Sequence, residues 1–376
     1  MTALGDSRTV AAPGADPASA AGVADAFVYE AGPARVRFGA GALDSVPEEA
    51  ERLGAARVLL VAGQAQEAAA RRLEARLGGA LASTLVGVRG HVPAGDAEAA
   101  RARALAEGAD CVVALGGGSA IGLAKAVALT SGLPVVAVPT TYAGSEMTPI
   151  WGITRDGRKQ TGQDARVLPR TVVYDPELTL SLPLATSVAS GLNAAAHCVE
   201  ALWTERANPL SALVAEEGLR TLAAGLRAVA RDPGDLGARV AALRGAWLGG
   251  IALATAGTGL QHKLCHVLGG AFDLPHAELH AVLLPHVSAF LAPAAPPAAA
   301  AIARALRAED AAEGVFALAR SLGAPSSLAE LGFPPERLDE AVALAEAVAP
   351  ARPRPASADD LRSLLSGALA GHRAAS

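Results

Sequence analysis

Lysine is close to absent from this chain. Of its 32 basic residues only Lys125, Lys159 and Lys263 are lysines. Arginine replaces lysine on a solvated surface at little cost, but not where a compact ammonium fits a small site. The three survivors are therefore candidates for function. Cysteine is also scarce: Cys111, Cys198 and Cys265 are odd in number and far apart, which excludes a disulfide framework and fits a reducing compartment. Positive charge is not in surplus, the formal net charge being −5, so no nucleic-acid partner is expected. No apolar run approaches the roughly 20 residues of a membrane span. Residues 1–26, rich in Ala, Gly, Pro and Asp, have no compact apolar segment. They read as a disordered tail rather than a signal peptide, and a cytoplasmic protein is expected.

The 376 residues suit one large domain or two ordinary ones. "FVYEAGPARVRFGAG", from Phe27, reads as two short strands around a turn. "ARVLLVAG", "ADCVVALGGGS", "LPVVAVPTT" and "RTVVYDP" read as buried parallel strands. "AQEAAARRLEARLG" and "GDAEAARARALAEG" are helical stretches among them. Strands alternating with helices predict a doubly wound α/β nucleotide-binding domain over 27–183. From Leu184 onward the pattern is Ala/Leu-rich and helical, which predicts an all-helical domain over 184–376, with a ligand cleft between the two.

In "VVALGGGSAIGLAKA", Gly116, Gly117, Gly118 and Ser119 lie between a strand and a helix. Glycines let backbone amides approach a pyrophosphate, and a helix N-terminus favours its charge. The spacing is not G-x-G-x-x-G, so a tight structural turn remains open. Lys125 can support this loop, reach the cofactor, or extend from a core edge. In "PTTYAGSEMTP", Thr140, Thr141 and Ser145 are candidate cofactor contacts, against a plain hydroxyl-rich turn. Tyr142, one of three tyrosines, is a candidate substrate contact.

These stretches, with "GLNAAAHCVEALW" and "HKLCHVLGGAFDLPHAELHAVLLPH", resemble the iron-containing alcohol dehydrogenase superfamily, which shares its fold with dehydroquinate synthase. Within it they are most similar to the maleylacetate reductases, over about Phe27 to His286. The resemblance implies an α/β domain followed by a helical one, and a cofactor-binding role for Lys159 and His266. In the metal-dependent members an Asp and three His hold one divalent ion, and the matching positions are Asn193, His197, His262 and His276. Asn193 and His197 are i and i+4 on a helix, as are His262 and His266, so each pair shares a face. Asparagine offers only a neutral carbonyl where the metal-dependent members carry a carboxylate. Three imidazoles can still bind zinc, but the expectation is that no metal is required and that an old metal cage serves substrate binding and proton transfer.

The activity implied is NADH-dependent reduction, with NADPH tolerated, of the carbon–carbon double bond of a small dicarboxylate, maleylacetate, to 3-oxoadipate. Charge developing on the ketone oxygen requires a stabilising group and a proton donor. His262, His276 and His197 are the expected catalytic histidines in a cationic pocket, because substrate carboxylates favour charged imidazole. Lys263 is a candidate carboxylate partner, unless as the next residue on the helix it points away from the cleft. Asn193, His280 and Arg170 are further substrate candidates, whereas His286, His91 and His372 read as surface or supporting residues. Gly63 and Gln64 follow the strand "VLLVAG" where many NAD enzymes carry an acid. Gln261 and Leu279 stand where His and Thr are expected in maleylacetate reductases. A homodimer is expected. The competing readings are a metal-dependent alcohol dehydrogenase, a lyase on the same scaffold, and a non-catalytic nucleotide binder.

Overall fold

The computed structural model describes residues 35–90, 92–155 and 158–371. The expected tail, the strand beginning at Phe27, His91 and His372 lie outside the described residues. Eight strands follow in chain order: β1 Arg35–Phe38, β2 Val58–Ala62, β3 Leu81–Val86, β4 Cys111–Gly116, β5 Val135–Pro139, β6 Ile150–Arg155, β7 Arg158–Gln163 and β8 Thr171–Tyr174. Four helices lie among them: α1 Val46–Arg52, α2 Glu67–Leu77, α3 Ala94–Ala106 and α4 Gly118–Ser131.

Six strands form one parallel sheet in the order β1-β8-β5-β4-β2-β3. Every residue of β2, β4, β5 and β8 is buried, which is why these strands read as unbroken apolar runs. Alternate side chains enter opposite faces. Leu59, Val61, Val112 and Ala114 join a core continuous with the C-terminal helices. Val58, Leu60, Val113 and Leu115 pack against Ala50 of α1 and Leu73 of α2. The chain leaves β2 for β3 on one side and returns to β4 on the other. That reversal opens a crevice beyond the carboxyl ends of β2 and β4, where ligands bind in open α/β sheets. β3 and the antiparallel hairpin β6–β7 are absent from the strands read from the sequence.

After β8 the described chain has no strand. Nine helices follow: α5 Leu184–Ala201, α6 Pro209–Arg231, α7 Leu236–Ala256, α8 Leu260–Phe272, α9 His276–Leu291, α10 Pro296–Leu306, α11 Ala311–Ser321, α12 Leu338–Glu346 and α13 Ala358–Ala370. No single helix among the described residues is long and apolar enough to cross a membrane. The three cysteines are buried and free. Small residues let α6 and α7 touch backbone to backbone. A Cβ on Gly225 would stand 2.4 Å from the amide nitrogen of Ala242, and one on Gly245 would stand 2.5 Å from that of Leu222.

Backbone cannot move aside as a flexible side chain can. Gly225→Ala is therefore expected to destabilise the fold by at least the roughly 1–3 kcal/mol of core overpacking. A urea-denaturation midpoint equal to that of the parent would refute this packing.

Candidate active site

The turn after β4 is shaped by what surrounds it. Gly116 has φ +152°, and a Cβ there would lie 2.9 Å from that of Ala120. A Cβ on Gly117 would meet the Thr141 methyl at 2.9 Å. Gly117 is also the N-cap of α4 and offers no side chain to its first amides, which leaves them open to an anion. Gly118 and Ser119 line a cavity of about 810 Å³, within the range of small-molecule sites.

Lys125, on the same helix, braces the segment 145–150 of the cavity wall. Its ammonium is fully buried and donates to the carbonyls of Ser145 (2.6 Å), Thr148 (2.7 Å) and Ile150 (2.9 Å). Three donors meet three acceptors, a geometry that suits a compact ammonium and not a planar guanidinium. Burial pushes its pKa down to about 7, and the nearby Glu146 acts against that shift. Lys159, on the β6–β7 hairpin, opens into the same cavity, and enclosure by the cavity walls lowers its pKa.

The other end of the cavity is lined by Asn193 and His197 from α5, His262 and His266 from α8, and His276 at the start of α9. The His197 and His262 rings are stacked with centroids 4.9 Å apart. Those of His266 and His276 are 5.0 Å apart. Burial, and secondarily the charges of His262 and His276, hold the His197 pKa well below the ordinary value. His266 opens to the cavity but is ringed by protein, which lowers it to about 4; His262 and Lys159 add to the effect. The ligand-free cluster is therefore less cationic than the sequence led us to expect. His197 and His266 stand as neutral imidazoles at pH 7, because burying charged groups beside one another is costly.

A model of the iron-containing alcohol dehydrogenase family matches residues 33–176. A model of the C-terminal part of the Fe-containing alcohol dehydrogenase family matches 187–369. The chain is 50% identical to a maleylacetate reductase of Burkholderia cepacia over 93% of its length and 99% of that protein's. Crystal structures of maleylacetate reductases from Agrobacterium tumefaciens and Rhizobium sp. strain MTP-10005 superpose with TM-scores of 0.90 each, at 47% and 46% identity. Both alignments cover 93% of this chain and all of theirs. The chain belongs to the iron-containing alcohol dehydrogenase family, among the maleylacetate reductases.

This membership corrects one expectation. The family is an iron-containing one, so the inference from Asn193 that no metal is required does not stand. The family's donor positions fit a divalent ion in chemical type. Asn193 Oδ1, His197 Nδ1 and His262 Nε2 are buried and have no hydrogen-bond partner, and with His276 they line one cavity. Among the described residues no three His, Cys, Asp or Glu side chains already converge to ligate.

Several residues singled out from the sequence lie elsewhere. Tyr142 is fully buried; its N–H donates to Ser190 Oγ, and its hydroxyl accepts from the buried Arg239. Arg170 is exposed and does not line the cavity. Lys263, next to His262 on α8, does not line it either. His280 packs behind the cavity, its ring 4.4 Å from His262 and 4.9 Å from His276. Thr140 and Thr141 support the glycine turn rather than line the cavity: the Thr140 N–H donates to the Gly116 carbonyl, and Thr141 packs on Gly117. His286 is buried, not on the surface, against Gly367 of α13. Gln261 and Leu279 are buried behind the cavity wall.

Residues not singled out from the sequence are Trp151, Leu253 and Thr258 in the wall, and Glu200 behind it. Glu200 is fully buried and hydrogen-bonded to His262 Nδ1. The signal was present in "AAAHCVEALW", where the one carboxylate of α5 falls three residues after His197.

Lys125→Met removes the ammonium from the Thr148 and Ile150 carbonyls, at about 1–3 kcal/mol for each left without a donor, whereas the Ser145 carbonyl still accepts from Thr148. It is expected to lower the melting temperature and to weaken NADH binding. Lys159→Ala is expected to weaken NADH binding alone. Equal melting temperatures for the two variants would refute the bracing role of Lys125.

Proposed function

We propose that this chain reduces the carbon–carbon double bond of maleylacetate to 3-oxoadipate with NAD(P)H, in the degradation of aromatic compounds. The observation that carries this reading is the combination of 50% identity to a maleylacetate reductase over 93% of the chain with a histidine-lined cavity abutting an open helix N-terminus. One hydride and one proton saturate the alkene, and no oxygen is lost. The proposed setting is the cytoplasm, with a homodimer as the assembly, an α/β domain over 27–183 and a helical one over 184–376.

The bound nicotinamide supplies the hydride. The turn Gly116–Gly118 and Ser119 hold its pyrophosphate on the amides of α4. Thr140 and Thr141 keep that turn in shape. Ser145 and Lys159 would contact the ribose and His266 the nicotinamide, all three lining the cavity. Asn193, His197, His262 and His276 would hold a divalent ion, and such an ion would supply polarisation of a carbonyl oxygen.

The remaining work falls to the chain's own groups. The ketone of the substrate faces Asn193, His197 and His262, which line the cavity together. His276, the fourth of these donors, lines the cavity beside them from the start of α9. Leu253 and Trp151 form walls that keep water from the reacting alkene. Gln261 and Leu279 act on the rings from behind, so they tune the site without touching substrate.

One NADH is expected to be oxidised per 3-oxoadipate formed, with NADPH used within about a thousandfold, or about 4 kcal/mol. His262→Ala is expected to lower kcat/KM by about 10²–10⁴-fold, with the circular dichroism spectrum unchanged. Oxidation of small alcohols with NAD⁺, without ene-reduction, would instead favour the metal-dependent alcohol dehydrogenase reading.

A further inference from the structure

α5 carries one carboxylate into the interior, and each of its oxygens has a separate partner. Glu200 Oε1 accepts the backbone N–H of Gln261 at 2.7 Å, in the first turn of α8. Glu200 Oε2 meets Nδ1 of His262. Space for this arrangement depends on Gly259, the N-cap of α8, since a Cβ there would lie 3.0 Å from Oε1. The amino end of a helix favours an ionised carboxylate, and an ionised carboxylate only accepts hydrogen bonds. The proton between Glu200 and His262 therefore belongs to Nδ1. The other ring nitrogen, Nε2, is then left with a lone pair. It is buried without a hydrogen-bond partner, as are Asn193 Oδ1 and His197 Nδ1.

We propose that Glu200 is the positioning residue of the cavity. It fixes His262 as the Nδ1–H tautomer and keeps the Nε2 lone pair turned toward the cavity. It also supplies, from behind the ring, the negative charge toward a divalent cation that Asn193 does not provide. A carboxylate on the far nitrogen of a ligating histidine orients the ring and raises its basicity, and losing such a partner typically weakens metal binding 10–100-fold. The inference rests on the histidine cluster as a cation site and is independent of which unsaturated acid is reduced.

Glu200→Gln discriminates this role from a merely structural one. Only an oxygen can accept the Gln261 N–H, so the amide NH₂ of the variant must face His262 Nδ1. That nitrogen then becomes an acceptor, the ring proton moves to Nε2, and the cavity loses its lone pair. The experiment uses the full chain, stripped of metal with a chelator and labelled with ¹⁵N-histidine. Two-bond ¹H–¹⁵N spectra read the tautomer, with the His262 signal assigned by its loss in His262→Ala. Calorimetric titration with Zn²⁺ reads the affinity. The expected result is Nδ1–H in the parent, Nε2–H in Glu200→Gln, and a roughly 10–100-fold loss of zinc affinity in that variant. Adding Asn193→Asp to the same variant is expected to recover affinity by placing the charge directly on the cation. An Nε2–H tautomer in the parent, no zinc binding by the parent, or equal affinity in parent and variant would overturn the proposal. If Glu200→Gln does not fold, the parent alone decides the matter: Nδ1–H on His262 together with zinc binding supports the proposal, and an Nε2–H tautomer or no zinc binding overturns it. None of these readouts involves maleylacetate, so a failure of the assigned reaction and a failure of this inference are separable.

Discussion

A helix enclosed on nearly every side has few places to put polar groups, and the site depends on where α5 puts them. Fourteen of its 18 residues are buried, among α6, α7 and α9. Asn193, His197 and Glu200 fall at i, i+4 and i+7, one stripe of the helix. Packing the apolar remainder turns that stripe toward α8, whose own His262 sits one turn before His266. Gly144, with φ +76° and its Cα region against the His197 ring, lets the turn after β5 approach the same helix. The histidines are thus placed by the burial of alanines and leucines far more than by contacts of their own.

Much of this arrangement was legible in the sequence. β2, β4, β5 and β8 are buried on both faces, so they appear as plain apolar runs. β3, "LASTLV", is an edge strand with Ser83 and Thr84 within it, and its alternation is too weak to stand out. The hairpin β6–β7 carries glycine, threonine and charged residues because one of its faces lines the cavity rather than a core. The histidine positions were legible because i, i+4 spacing survives any detail of packing.

What the sequence obscured was direction. Tyr142 lies in a hydroxyl-rich turn, but the turn points it inward to Arg239. Lys263 follows a cavity histidine and so leaves the cavity by about 100° of helix rotation. Glu200 went unnoticed because a carboxylate on an alanine-rich helix reads as solvated. Only the close approach of α8 makes it a buried partner. The metal expectation failed for a related reason: the position that lines the cavity, Asn193, is neutral, whereas the carboxylate of Glu200 lies behind it. The family comparison speaks for the whole arrangement and not for that one position.

The near-absence of lysine also has a bearing on chemical modification. Lys125 is sealed by three carbonyls and by burial, and Lys263 is partly buried on α8. Lys159 opens onto the cavity with its ammonium form disfavoured. It thus presents the neutral, nucleophilic amine more readily than an ordinary surface lysine does. An acylating reagent, which on most proteins decorates the surface at many points, would among these side chains select the one that opens onto the cavity.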